Sequence, residues 1–237
     1  MVAMPYPVSL TFTPLLAARN KMTTAFRLVL AIPHLFLVGG IGFSMVFRTR
    51  SDNVTSLGPE TGLLGVIAGA LAIVSWFTIV ISREHISGIR AYTRFYVRWR
   101  VRALSYLMLL QDQYPPLGDA PYPAAVTIVD PPGERDRLTV GLRIFLAIPH
   151  IIVLVFLMTA FWATTIVAWF AILFTGRYPR GLYDFVLGMN RWVFRVGAYA
   201  ALMTDRYPPF RLDMGGDEPP AGVIADPVAP TPAQVVS

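Results

Sequence analysis

Two histidines, His34 and His150, each follow a proline within an apolar stretch, and intramembrane imidazoles are the side chains here best placed to do chemistry. A pair of imidazoles can hold a metal or haem iron, or pass a proton. No third ligand lies in reach by sequence, and Pro33 and Pro149 supply a simpler reason for them. A proline inside a helix frees a carbonyl one turn back, and a neighbouring histidine can help satisfy freed backbone groups. A structural role is therefore the stronger reading, and no metal or cofactor is expected. Carboxylates are informative by their absence: residues 26–47, 63–81 and 138–174 contain no Asp or Glu, so the intramembrane acid of a proton- or sodium-coupled carrier is missing. Glu84, Asp112, Asp184 and Asp205 stand among arginines at the edges of these stretches, where ion pairing is the expected use. Cysteine is absent, which excludes disulfides, thiolate metal sites and a cysteine nucleophile. Neither a phosphate-cradling Gly-rich loop nor a Gly-x-Ser-x-Gly elbow occurs. The chain does not read as an enzyme.

The elements that position these residues form a tandem repeat. At an offset of 116, Tyr6-Pro7, Thr11, Arg27 and Ala31-Ile32-Pro33-His34 match Tyr122-Pro123, Thr127, Arg143 and Ala147-Ile148-Pro149-His150. From Trp76-Phe77 onward the offset becomes 93, matching Trp169-Phe170, then Arg98-Trp99 to Arg191-Trp192, Arg102 to Arg195, Tyr106 to Tyr199, and Asp112 with Tyr114-Pro115-Pro116 to Asp205 with Tyr207-Pro208-Pro209. Copy one covers 6–117 and copy two 122–210, and copy one carries a longer excursion between its His and its Trp-Phe pair.

With 55% hydrophobic and only 14% charged residues, the chain is too apolar for an ordinary soluble domain. The expected class is an all-α integral membrane protein of two tandem repeats, each a transmembrane helical hairpin followed by an amphipathic interfacial helix. In copy one, 26–47 and 63–81 are each long enough to cross about 30 Å of hydrocarbon. In copy two, 138–174 reads either as a tight or re-entrant hairpin turning near 158–163 or as one tilted span. Four crossings put 18 of the 20 Lys and Arg on one side, so the positive-inside rule favours the hairpin and cytoplasmic N- and C-termini in a multi-pass plasma (inner) membrane protein.

Helices over about 88–110 and 182–203 follow the hairpins. On a helical wheel Arg90, Arg94, Arg98 and Arg102 form a basic face beside an aromatic one that includes Trp99, and copy two repeats Arg191, Trp192 and Arg195. Such helices suit the headgroup region or a partner subunit, while packing of the aromatics as core is the plainer alternative. Gly65 and Gly69 give the second span a small-residue stripe for helix packing. Each copy opens on a strand-like segment, 8–12 and 125–128, able to pair with the other. The proline-rich tail, 213–237, has no aromatic and is expected to be disordered.

The run Phe174-Thr175-Gly176-Arg177-Tyr178-Pro179-Arg180-Gly181, with Arg191-Trp192, Arg195, Tyr199 and Asp205-Arg206-Tyr207-Pro208-Pro209-Phe210, resembles a family of small actinobacterial membrane proteins classed as a domain of unknown function. Copy one is degenerate there, reading Ser82-Arg83-Glu84-His85-Ile86-Ser87-Gly88. Usage of 19 Arg to 1 Lys fits a high-GC actinobacterium. The resemblance implies similarity to an accessory subunit of the mycobacterial Mce lipid-import machinery, with membrane lipid and other integral membrane subunits such as a permease as partners and no nucleic acid. The expected function is a non-catalytic accessory or scaffold subunit, set against a small channel or carrier between the two copies and a haem- or metal-binding membrane protein.

Overall fold

The structure, a computed structural model, describes residues 6–40, 62–117, 120–131, 133 and 135–213. Two strands, β1 (Val8–Phe12) and β2 (Ala124–Ile128), accompany the helices α1 (Lys21–Ala25), α2 (Arg27–Val38), α3 (Gly62–Ser82), α4 (Ser87–Leu107), α5 (Arg137–Gly141), α6 (Arg143–Thr175) and α7 (Arg180–Ala200). The fold is mostly helical. The tail beyond residue 213 and the polar excursion at 48–61 lie outside the described residues.

After its strand, each copy forms a short helix set by an Asx cap. The Asn20 side chain accepts from the Thr23 N–H at the start of α1, and Asp136 accepts from Leu138 N–H at the start of α5. One residue, Phe26 or Leu142, separates the short helix from the long one that follows.

The long helix of copy two corrects the expected hairpin. Residues 143–175 form one continuous helix with no turn near 158–163, because Met158 to Ala163 contains neither Gly nor Pro to break it. Copy one builds the same rod from two pieces. Its first helix stops at Val38, ahead of the predicted 47, where Gly39 takes a positive φ of 76°; residues 41–47 are outside the described part. The next helix starts against that end: a Cβ on Gly62 would lie 2.2 Å from the Gly39 nitrogen and 2.6 Å from the Leu37 carbonyl oxygen. With 12 and 21 residues, α2 and α3 together cover what α6 covers in 33. The returning helix α4 reads them as one surface, its Tyr106 carbonyl, Trp99, Tyr96 and Tyr92 meeting Arg27, His34, Val38 and Leu64 in that order. The sequence slip is thus an insertion into the middle of a helical rod.

The two copies are related by a pseudo-two-fold axis. It passes through the antiparallel pair β1–β2, where Leu10 faces its own repeat equivalent Val126. Around it the copies exchange their rod ends. Trp76 Nε1 donates to the Val140 carbonyl at 3.0 Å and its equivalent Trp169 to the Thr24 carbonyl at 2.9 Å, each reaching into the other copy. Likewise the Arg19 N–H bonds Gly176 O and the Arg135 N–H bonds Arg83 O, while Lys21 reaches the Phe174 carbonyl and Arg137 that of Ile81. The equivalent residues Arg83 and Gly176 both carry a positive φ.

The ribbon packs on α4 and α7, and these pack on the rods. The basic-aromatic helices are therefore central: Tyr96, Trp192 and Tyr199 are buried, as is most of α7. Of the two readings of their aromatic faces, core packing is the one the structure shows. The rods lie outermost. Two of their helices, α3 and α6, are long and apolar enough to cross a membrane, with only 17% and 22% of the most apolar window buried, where a soluble protein's core helix would be mostly covered. On α6 the uncovered residues Phe145, Ile152, Phe156, Ile166 and Phe174 run the length of one face.

Removal of an exchanged tryptophan is expected to loosen the pairing. Trp76 closes a small cluster with the fully buried Ile79, Val140 and Leu202. The Trp76→Ala substitution should cost about 3 kcal/mol, the low end for a half-exposed tryptophan, and Trp76→Phe about 1 kcal/mol for the lost hydrogen bond. Thermal unfolding in detergent of the two variants beside the parent chain checks both values.

Candidate functional site

Each copy gathers two arginines onto one aspartate at the start of its rod. Arg19 Nη2 and Arg27 Nη2 both lie 2.6 Å from Asp112 Oδ1; in copy two Arg135 Nε lies 2.6 Å and Arg143 Nη2 2.5 Å from the Asp205 carboxylate. The guanidinium side chains are 0–4% exposed and the carboxylates 14% and 26%. Each arginine also donates to a backbone carbonyl near the end of α4 or α7, while the buried Nε of Arg19, Arg27 and Arg143 and Nη1 of Arg135 have no hydrogen-bond partner among the described residues. Arg19 bonds the Leu109 carbonyl and Arg135 that of Leu202, the equivalent residue, and both leucines hold a positive φ just past α4 or α7. Arg27 and Arg143 donate to the Tyr106 and Tyr199 carbonyls and sit 4.5 and 4.6 Å from the centroids of those rings. Burial pulls the Arg19 and Arg135 guanidiniums below the usual arginine value, and the facing carboxylates oppose that pull.

One turn or two further along each rod stands the histidine. Trp99 Nε1 donates to His34 Nδ1 and Trp192 Nε1 to His150 Nδ1, both at 3.1 Å. Tyr114 and Tyr207 close the boxes at 4.9 and 4.8 Å between ring centroids, and Phe210 stacks on His150 at 3.8 Å. With Nδ1 accepting, each neutral ring carries its proton on Nε2. Each histidine is held within its own copy through Nδ1, and its buried Nε2 has no hydrogen-bond partner among the described residues. Among the described residues no group of three His, Cys, Asp or Glu side chains is gathered in one place.

The other predicted residues separate into surface and core. Arg90 and Arg94 pair with Asp130 beyond β2. Arg98 is exposed, and with Arg94 it lines a groove of about 210 Å³ against Val126, Thr127 and Ile128. Arg102 and Arg191 are half-buried. Arg195 is fully buried and donates to the carbonyls of Arg211 and Asp213. Gly65 packs within the chain, since a Cβ there would meet the Tyr96 hydroxyl at 2.7 Å, whereas Gly69 faces open space. Arg177 and Pro179 are exposed and flank the buried Tyr178, which forms an edge contact with Tyr183; Pro208 is buried and Pro209 half-buried beside Asp205. Sequence reasoning missed Arg19 and Arg135. Their signal was present, as they stand at the same 116-residue offset as the histidines.

Buried phenols give the fold an alkaline limit. Burial raises Tyr122 and Tyr183 to about 12, and Tyr6 and Tyr178 upward as well. In the unfolded chain these phenols ionise near pH 10. The native state therefore holds its protons longer, and the stability these groups contribute is complete below pH 10 and lost as pH rises toward 12. The melting temperature is expected to fall between pH 9.5 and 11.5, with a shallower fall in Tyr183→Phe; a curve flat over that range contradicts the burial.

The family model described as a domain of unknown function, DUF4389, matches residues 61–117 and 137–211, one stretch in each copy. No curated protein and no solved structure matches the chain.

Proposed function

The chain belongs to the DUF4389 family, a domain of unknown function, and on that premise we propose that it is a non-catalytic accessory subunit embedded in the plasma membrane, with both termini on the cytoplasmic side. One observation carries this reading: in both copies the buried arginines, aspartates and histidines of the clamps and boxes bond within their own fold. Most open to other molecules are the apolar outer face of the rods and the groove beside the ribbon that Arg94 and Arg98 line, Arg94 being already paired with Asp130. The first suits membrane lipid and neighbouring integral subunits; the second suits acidic groups of a partner. A lipid-import transporter of the Mce type, whose permease and ATPase are separate chains, is the host complex that the sequence resemblance favours.

Reconstitution tests the absence of independent chemistry. The purified chain in sealed liposomes is expected to pass neither protons nor fatty acid above the lipid background, and protein from the native host to show no Soret band. A flux abolished by His34→Ala or His150→Ala overturns the reading in favour of a small carrier.

A further inference from the structure

The rods constrain how a bilayer meets this fold. As a 33-residue helix α6 is about 50 Å long, and keeping that whole length within about 30 Å of hydrocarbon by crossing it requires a tilt of about 53°, outside the usual range of about 0–40°. The exchanged ends add a second constraint. Each rod starts at its own clamp and finishes beside the other copy's, where Gly176 O takes the Arg19 N–H and Arg83 O takes the Arg135 N–H. The pseudo-two-fold axis relates these two ends and runs through the ribbon.

Two orientations of that axis are possible, and charge separates them. With the axis in the membrane plane, the rods cross in opposite directions and the ribbon sits at mid-depth, together with Asp130, Arg90 and Arg94, in a medium that charged side chains avoid. With the axis along the membrane normal, the ribbon and its ion pairs stand in water and the uncovered faces of both rods meet hydrocarbon. The exposed cations at the rod ends, Lys21 and Arg177 at one and Arg83 and Arg137 at the other, then share one level, that of the lipid phosphates.

We propose that both rods lie in the plane of a single leaflet, with the axis along the normal, so that the chain is a monotopic protein whose partner is the acyl layer of the cytoplasmic leaflet. This rests on the membrane reading above and replaces the four crossings expected from hydropathy. The flat raft of two antiparallel rods covers one side of the molecule; the ribbon and the ends of α4 and α7 face the cytoplasm.

The native chain contains no cysteine, so single cysteines report cleanly. Leu138→Cys and Arg177→Cys flank α6 at exposed positions, and Met22→Cys and Arg83→Cys flank the other rod. In sealed native vesicles of both orientations, a membrane-impermeant maleimide is expected to label all four from the same side. Spin labels at Phe145→Cys, Phe156→Cys and Phe174→Cys, all on the uncovered face, are expected to report similar shallow depths from oxygen and nickel-chelate collision rates. Labelling of the two ends of one rod from opposite sides overturns the proposal, and so does same-side labelling with the Phe156 probe at the far interface. Either failure leaves the accessory role standing, whereas a chain absent from the membrane fraction ends both.

Discussion

The Asp205→Ala variant is expected to lose about 3–5 kcal/mol of stability, because it leaves the guanidiniums of Arg135 and Arg143 buried with no counter-charge. In a chain of this size that is a fall in melting temperature of about 6–20 °C. The loss is large because the carboxylate is the common acceptor for two side chains no more than 4% exposed, and neither can swing to solvent. Asp205→Asn should cost less, since the amide oxygen still accepts from one arginine. Asp112→Ala should behave alike through Arg19 and Arg27. A further contrast separates charge from shape: replacing all three partners, as Arg135→Met, Arg143→Met and Asp205→Leu, should recover part of the loss despite three substitutions. Equilibrium unfolding in detergent measures the set, and a cost below about 1 kcal/mol for Asp205→Ala contradicts the clamp.

Gly62→Val is the second severe substitution expected, and it acts on the backbone. Gly62 holds φ +62°, a conformation β-branched residues adopt only with strain, and its Cβ would strike Gly39 N at 2.2 Å and the Leu37 carbonyl at 2.6–2.7 Å. These atoms are main chain and cannot rotate away. Strain and overpacking together should cost about 3 kcal/mol or more, separating α3 from the end of α2. Val155, which occupies the equivalent place inside the continuous α6, makes the comparison: Val155→Gly should cost only about 1 kcal/mol, the helix-propensity penalty. Equal effects at the two positions contradict the interrupted-rod description.

Much of this architecture was legible. The repeat shows in identities such as Ala31-Ile32-Pro33-His34 against Ala147-Ile148-Pro149-His150, and so do the strand pairing and the helices α4 and α7 to within a few residues. The clamps were hidden by the same slip that marks the insertion. Arg27 and Arg143 repeat at 116 residues but Asp112 and Asp205 at 93, so the partners stand on opposite sides of the change of register and no local motif joins them. The rod was hidden because apolar length alone cannot tell a helix that runs on from one that turns. For segment 138–174 the charge count favours a hairpin over one tilted span, yet nothing between Met158 and Ala163 stops a helix. A wheel shows which residues of α4 share a face and not what covers them, so it leaves interfacial and core packing open; in the structure Tyr96 and Tyr106 are buried while Tyr92, Phe95 and Trp99 are partly buried.

The accessory role, on which the whole account turns, is tested most directly by a tagged pull-down from native membranes in mild detergent, with quantitative mass spectrometry of the eluate. Other integral membrane subunits are expected in fixed, near-integer ratio to this chain, retained in Arg98→Ala at reduced yield and recovered in lower amount with the destabilised Asp205→Ala. A chain that elutes alone and monodisperse, with no partner above background, contradicts it.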